Sequence, residues 1–148
     1  VLMKLTGKSL EEVLTLLASK SGLAGLSGTS GDIRDLTSAA AQGSDRARLA
    51  LEVFASSVRH YLGAYLVELG GVDVIAFTGG IGENQADFRA QVLANLEELG
   101  ISLDPELNAA TKGEGKISAA NSRVQVWVVP TNEELIVARL AKQLLEGR

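Results

Sequence analysis

The segment VIAFTGGIGEN, residues 74–84, joins a short apolar run to a turn that contains three glycines. A run of four apolar residues bounded by turn signals is typical of a parallel strand that is covered on both faces. The residues from Gln85 to Leu99 then have the apolar spacing of a helix, which Gly100 is predicted to end. The segment therefore predicts a strand, a tight turn and a helix, which together are typical of an α/β fold.

A second apolar run, Val124 to Val129, ends at Pro130 and predicts a second strand. Residues 101–103 are a weaker candidate for an edge strand. Two clear strands are few for a complete sheet, and the chain begins at Val1 inside an apolar stretch. We therefore expect a piece of a longer protein, in which some strands of the sheet are missing.

The chain before the first strand is predicted to be helical. Ser9 and Glu12 have the spacing of a capping box, and further helices are predicted over 33–42 and from 44–45 to 69–70. Two segments are predicted to lack regular structure. The glycine-rich segment 21–32 is interpreted as a packed loop, and the polar segment 108–122 as a surface excursion.

The long predicted helix carries most of the aromatic residues of this part of the chain. The spacing of Phe54, Tyr61 and Tyr65 favours a place in the core over a platform for stacking bases. His60, the only histidine, has no neighbour on this helix that would make it a base or a metal ligand, so a structural role is predicted.

Composition excludes several classes of protein. A chain of 148 residues, 46% hydrophobic, predicts one globular domain. The net charge of −4 and the lack of a basic block argue against binding to nucleic acid or an anionic membrane. No apolar run approaches the roughly 18 residues of a membrane span, and there is no secretory signal pattern. The absence of cysteine excludes disulfides and thiolate sites, and a cytoplasmic location is predicted.

The turn Thr78-Gly79-Gly80-Ile81-Gly82 is the first candidate site. Bare backbone N–H groups before a helix can approach a phosphate closely, and open α/β sheets bind ligands at the carboxyl ends of their strands. The alternative is a tight turn that needs glycine for a positive φ. The dinucleotide fingerprint fails because position 85 is Gln, and the Gly-Lys-Ser/Thr of a Walker loop is absent.

Two further sites are predicted from loop residues. Asp32 either caps the helix that starts at Ile33, with Arg34 in solvent, or faces a polar ligand together with Arg34. Near the end of the chain, Thr131 and Glu134 have the spacing of a capping box, which leaves Glu133 without a structural role. Glu133 is then either a ligand for magnesium on a nucleotide or a solvated residue of the first helical turn.

The order of these segments resembles the C-terminal part of the acetate kinases. The resemblance runs over essentially all 148 residues and rests on 21–27, 32–35, 130–134 and above all Phe77 to Asn84. Propionate and butyrate kinases are close relatives. The resemblance implies the ribonuclease-H-like half of the sugar kinase, heat-shock and actin fold, with residues 1–148 forming a partial C-terminal nucleotide-binding domain that lacks its first strands.

What the resemblance implies about function is specific. Acetate kinases reversibly transfer the γ-phosphoryl group of ATP to acetate, giving acetyl phosphate and ADP, with Mg²⁺. The matching positions imply that the adenosine side of the nucleotide is bordered by Asp32, Ile33 and Arg34. They imply that the nucleotide-binding segment comprises Gly80, Ile81, Gly82, Glu83 and Asn84, and that Glu133 is the magnesium-associated carboxylate.

No catalytic residue is expected in this chain. The arginine, histidine and aspartate that bind the carboxylate and stabilise the transferring phosphoryl group in acetate kinases have no counterpart here, so the segment alone is predicted to be inactive. Acetate or a similar short-chain carboxylate would bind through the missing half, and the family implies a homodimer. The alternative is a noncatalytic nucleotide-binding or interaction module from a truncated or split acetokinase. A dinucleotide-dependent oxidoreductase is a third, weaker hypothesis because of Gln85.

Overall fold

A computed structural model describes residues 1–147, apart from the side chain of Glu133. The chain divides into two compact units, one over Val1–Glu68 and one that begins at Leu69. The first unit is helical and the second contains a sheet with helices, which confirms the predicted α/β class.

The first unit consists of five helices: α1 (Leu2–Thr6), α2 (Leu10–Lys20), α3 (Gly22–Ser27), α4 (Ile33–Ala41) and α5 (Asp45–Glu68). The predicted capping box is confirmed, since Ser9 accepts from the N–H of Glu12 and the Glu12 carboxylate accepts from the N–H of Ser9. Both α3 and α4 pack against α5. Fully buried Leu36, Ala47 and Ala50 form the core between them.

The prediction of a loop over 21–32 is wrong for its first half, which forms α3. This helix ends at Gly28, whose left-handed conformation (φ 75°) lets its N–H reach the carbonyl of Ala24 at 2.9 Å. The guanidinium of Arg46 donates to the carbonyls of Leu26 and Gly25 at 3.0 and 3.2 Å. Arg46 therefore satisfies carbonyl groups that the end of a short helix would otherwise leave unpaired.

The prediction that both tyrosines lie in the core is also wrong. Tyr61 and Tyr65 are each 62% exposed, whereas Phe54 is half-buried. The buried positions of α5 are alanines, because small side chains let neighbouring helices approach closely. His60 is exposed, and its ring meets the ring of Tyr61 edge-on at 5.5 Å.

The second unit is built on a three-stranded sheet with the order β1-β3-β2. Its strands are β1 (Val74–Phe77), β2 (Gly115–Lys116) and β3 (Gln125–Val128). The unit also contains α6 (Gly79–Asn84), α7 (Ala86–Leu93), α8 (Pro105–Ala110), α9 (Glu133–Leu145) and a 3₁₀ turn at Glu97–Leu99.

The register of the sheet decides where the predicted site lies. β1 runs parallel to β3, with Val74 opposite Gln125 and Phe77 opposite Val128. Both strands therefore end at the same level, and the segments that follow them leave from one edge of the sheet. Trp127 lies in the middle strand, half-buried, and its indole N–H donates to the Oε1 of Gln125 at 2.9 Å.

Three predictions for this unit need correction. Within the described residues β1 is not covered on both faces, since Val74 is 52% exposed. The helix predicted over 85–99 is interrupted at Asn95, which adopts φ 57° at the low cost that asparagine allows. The segment 108–122 is not a surface excursion, because it contains β2, which pairs with β3, and the buried Ile117 and Ser118.

The weaker strand candidate at 101–103 contributes one isolated bridge, between Leu103 and Ser118. Within residues 1–147, no helix has both the length and the apolar character needed to cross a membrane.

Candidate functional site

The segments that follow β1 and β3 line one open cleft. Its volume is about 640 Å³, and its lining comes from two sides: Gly79, Gly80 and Glu83 of α6, and Pro130, Thr131, Asn132 and Glu134 after β3. Pockets for small ligands and cofactors span roughly 300 to 1,000 Å³. The structure thus brings together two of the three segments that the sequence singled out.

A carboxylate joins the two sides of the cleft. The Oε1 of Glu83 accepts a hydrogen bond from the backbone N–H of Thr131 at 3.0 Å and lies 3.4 Å from its hydroxyl oxygen. The predicted capping role of Thr131 is therefore wrong. Asn132 caps α9 instead, its Oδ1 accepting from the N–H of Leu135 at 3.0 Å.

The three glycines of the turn differ in what they require. Gly79 has φ 70°, a left-handed conformation that favours glycine. Gly82 is buried, and a Cβ added there would lie 3.3 Å from the carbonyl carbon of Phe77. The alternative of a turn that needs glycine for a positive φ is therefore correct for Gly79, whereas Gly82 is restricted by its close packing against Phe77.

Neither a positive φ nor close packing requires glycine at position 80. Its φ is not positive, it is exposed, and a Cβ added there would meet nothing within 4 Å. Neither the backbone conformation nor packing therefore explains a glycine at this position of α6. An open backbone at the lip of a cleft is what close approach of a ligand requires.

Two other residues of the predicted nucleotide-binding segment, Ile81 and Asn84, contribute to the structure of the turn. Ile81 is half-buried, and the side-chain amide of Asn84 donates to the carbonyl of Gly80 at 2.9 Å. Neither belongs to the cleft lining, and neither does Gly82. Direct contact of Ile81, Gly82 and Asn84 with a nucleotide stays a prediction.

Sequence reasoning missed Arg89, which is 1% exposed and lies in α7. One edge of its guanidinium donates from Nη1 to the carbonyls of Gly82 and Glu83, at 2.8 and 2.9 Å. The other edge donates from Nε to Oδ1 of Asn108 at 2.7 Å and from Nη2 to the carbonyl of Asn108 at 2.8 Å. Burial lowers the pKa of the Arg89 guanidinium below its ordinary value. A signal was present, because Arg89 precedes the buried Val92 and Leu93 by three and four residues and so shares their face of the helix.

The segment around Asp32 belongs to the first unit. Asp32 caps α4, its Oδ1 accepting from the N–H of Arg34 at 2.8 Å, as one of the two hypotheses predicted. The Arg34 side chain, 81% exposed, folds back onto Asp32 with an Nη2–Oδ2 distance of 2.6 Å. Hydrogen bonds from the side chain and the backbone of Arg34 lower the pKa of Asp32 to about 2. Ile33 is buried. A role of Asp32, Ile33 and Arg34 toward the adenosine stays a prediction.

Glu133 is the first residue of α9, directly after Asn132 of the cleft lining. Its side chain lies outside the described residues, so its role toward magnesium stays a prediction. Among the side chains that are described, no three histidines, aspartates or glutamates converge as metal ligands would.

Known proteins resemble this chain along most of its length. The model of the acetokinase family matches residues 1–139. The acetate kinase of Staphylococcus haemolyticus is 52% identical over 139 residues, which are 93% of this chain and 35% of that protein. Among solved structures, the acetate kinase of Porphyromonas gingivalis superposes with a TM-score of 0.88 at 40% identity, over 97% of this chain and 36% of that one.

A propionate kinase from Francisella tularensis superposes with a TM-score of 0.83 at 35% identity, over 93% of this chain and 35% of its own. The chain thus spans about a third of the length of the relatives that it matches. Since the family model covers nearly the whole sequence, and the glycine turn and the Thr131 segment share one cleft, the chain belongs to the acetokinase family.

Proposed function

We propose that this chain is the nucleotide-binding part of a kinase that reversibly transfers the γ-phosphoryl group of ATP to acetate, giving acetyl phosphate and ADP. The observation that carries the proposal is Gly80, an open helical glycine at the lip of a cleft formed where two parallel strands end. Phosphoryl transfer depends mainly on positioning and charge stabilisation, and exposed backbone N–H groups contribute to both.

The residues of the cleft fit a nucleotide with magnesium. Its volume of about 640 Å³ suits a ligand of this size. The bond from Thr131 to Glu83 holds that carboxylate at the rim, where its charge is partly compensated by a backbone donor. Magnesium is commonly bound by one or two carboxylates together with phosphate oxygens, and Glu133 follows the lining residue Asn132. The bound ion would neutralise phosphate charge.

The proposal assigns the remaining steps to residues outside this chain. In the transfer, the bond between the γ-phosphorus and the ADP oxygen breaks as a bond to a carboxylate oxygen forms. The groups that bind the carboxylate and stabilise the transferring phosphoryl group belong to the other two thirds of the family's length, so we propose that this chain alone binds nucleotide without turnover. The short-chain carboxylate as acceptor, a homodimer and a cytoplasmic location are proposed on the family resemblance.

Calorimetric titration with ADP, with and without Mg²⁺, tests the proposal. We expect saturable, magnesium-sensitive binding by the 148-residue chain. A methyl group at Gly80 would occupy the space that the phosphates need, so Gly80→Ala should weaken binding about tenfold, or 1.4 kcal/mol.

Gly63→Ala is the matched control. Gly63 is also helical and exposed, an added Cβ would meet nothing within 4 Å, and it does not line the cleft. It should leave the dissociation constant unchanged. Equal affinities of wild type and Gly80→Ala would remove Gly80 from the site, and no binding by the folded wild-type chain would contradict the proposed function.

A further inference from the structure

Arg89 does not line the cleft, yet it contacts the backbone of the turn that does. Its Nη1 donates to the carbonyls of Gly82 and Glu83, which lie at the C-terminal end of the six-residue helix α6. The last carbonyls of a helix have no partner within it, and buried carbonyls without donors are costly. Arg89 supplies the donors for both.

The burial of this side chain needs a reason. A buried cation is costly unless hydrogen bonds or a counter-ion compensate, and no carboxylate pairs with Arg89 among the described residues. A well-packed apolar side chain would often serve stability as well or better. An apolar side chain has no hydrogen-bond donors. The planar guanidinium has donors on both edges, so it can fix the distance between α6 and α8.

The two edges of the guanidinium connect α8 to the cleft. Asn108 of α8 holds one edge, and the Asn108 side-chain amide is itself fixed by donation to the carbonyl of Ala86 at 2.9 Å. The opposite edge donates to the backbone carbonyl of Glu83. The carboxylate of Glu83 in turn accepts a hydrogen bond from the N–H of Thr131 across the cleft. Hydrogen bonds thus connect Asn108 to Arg89 and Arg89 to the backbone carbonyl of Glu83. The carboxylate of the same Glu83 side chain accepts from Thr131.

We propose that Arg89 is a positioning residue of the nucleotide site, which sets the place of Glu83 and thereby the width of the cleft between α6 and Thr131. This inference rests on the proposed function. A lysine at this position keeps the positive charge but lacks the rigid fork, so it cannot hold the turn and Asn108 simultaneously in the same geometry.

The test compares Arg89→Lys with Arg123→Lys in the 148-residue chain. Arg123 also donates to a backbone carbonyl, that of Leu99 at 2.8 Å, but it is exposed and lies outside the cleft lining. We expect Arg89→Lys to raise the dissociation constant of ADP about tenfold, the effect of losing one hydrogen bond to a charged group, and Arg123→Lys to leave it unchanged.

Amide hydrogen exchange separates positioning from general stability. In Arg89→Lys the N–H of Thr131, bonded to Glu83, should exchange about tenfold faster. The N–H of Val129, bonded to the carbonyl of Phe77 at 2.9 Å, should not change. If both amides accelerate together, Arg89 is a general structural residue and the inference is wrong.

Failure of the inference is distinguishable from failure of the proposed function. Wild type that binds ADP, with Arg89→Lys binding equally well, overturns only the role of Arg89. Wild type that does not bind overturns the proposed function and this inference with it. If Arg89→Lys does not fold, Asn108→Ala removes the side-chain acceptor of Nε on the edge of the guanidinium away from the cleft, and leaves the backbone carbonyl that accepts from Nη2. Unchanged affinity in that variant would overturn the inference.

Discussion

Two segments predicted to contact the nucleotide are built in opposite ways. The segment around Asp32 closes on itself, since Arg34 bonds to Asp32 two residues away and the Ser30 hydroxyl bonds to Asp35 five residues away. The glycine turn depends on two pairs of residues that are distant in sequence. Arg89, which donates to the turn, bonds to Asn108, 19 residues away, and Glu83 bonds to Thr131, 48 residues away. The first segment can therefore form wherever α4 forms, whereas the second has its geometry only when the sheet unit is folded.

The largest expected effect comes from the long-range network. Asn108→Ala would leave the Nε of Arg89 and the carbonyl of Ala86 without their partners in a buried region. We expect the free energy of unfolding to fall by about 3 kcal/mol, as measured by urea denaturation. The exposed Asn121 provides the control, Asn121→Ala, which should change it by less than about 0.5 kcal/mol. Similar values for the two variants would mean that the network does not hold the unit together.

An intermediate effect is expected at the cleft itself. Glu83→Ala removes the acceptor for the Thr131 N–H, and the expected loss of stability is about 1 kcal/mol because the site is only half-buried. Glu83→Gln keeps an acceptor oxygen and should lose less. Urea denaturation of both variants measures the difference, and a larger loss in the glutamine variant would be inconsistent with the bond from Thr131.

The smallest effect is expected at the self-contained segment. The pKa of Asp32 is lower in the folded chain, about 2, than its ordinary value of 3.8. Its ionised form therefore stabilises the fold above about pH 4, and this contribution is lost as the pH falls through about 2. Asp32→Asn retains a capping side chain but not the charge, so stability should depend less on pH in this acid window.

Thermal denaturation of the wild type and of Asp32→Asn across this range is the measurement. Because the ion pair is exposed, the difference should be small at neutral pH, and it should disappear as the pH falls through about 2. A large difference at neutral pH would show that this segment is coupled to more of the structure than its own loop, and the contrast with the glycine turn would disappear.

Local patterns were sufficient for two of the strands, for two helix caps and for part of the site. The apolar runs gave both parallel strands, and capping rules gave Ser9 and Asp32, because these depend on neighbours within five residues. The pattern could not tell Gly80 from Gly79 and Gly82, since the difference lies in φ and in the nearby Phe77.

Three of the misses share one physical cause, which is pairing between residues distant in sequence. Thr131 has the spacing of a cap but bonds to a residue 48 positions earlier. β2 lies in a polar segment and is a strand only because β3 lies beside it. The burial of Arg89 requires acceptors that the turn and α8 provide jointly, and spacing within α7 cannot encode them.

The distribution of chromophores has a practical consequence. Both tyrosines, Tyr61 and Tyr65, lie in α5 of the helical unit, and the only tryptophan, Trp127, lies in the middle strand of the other. Tryptophan fluorescence therefore reports on the sheet alone, while tyrosine absorbance reports on the long helix. A single melt followed at both signals would show whether the two units lose their structure together or one after the other.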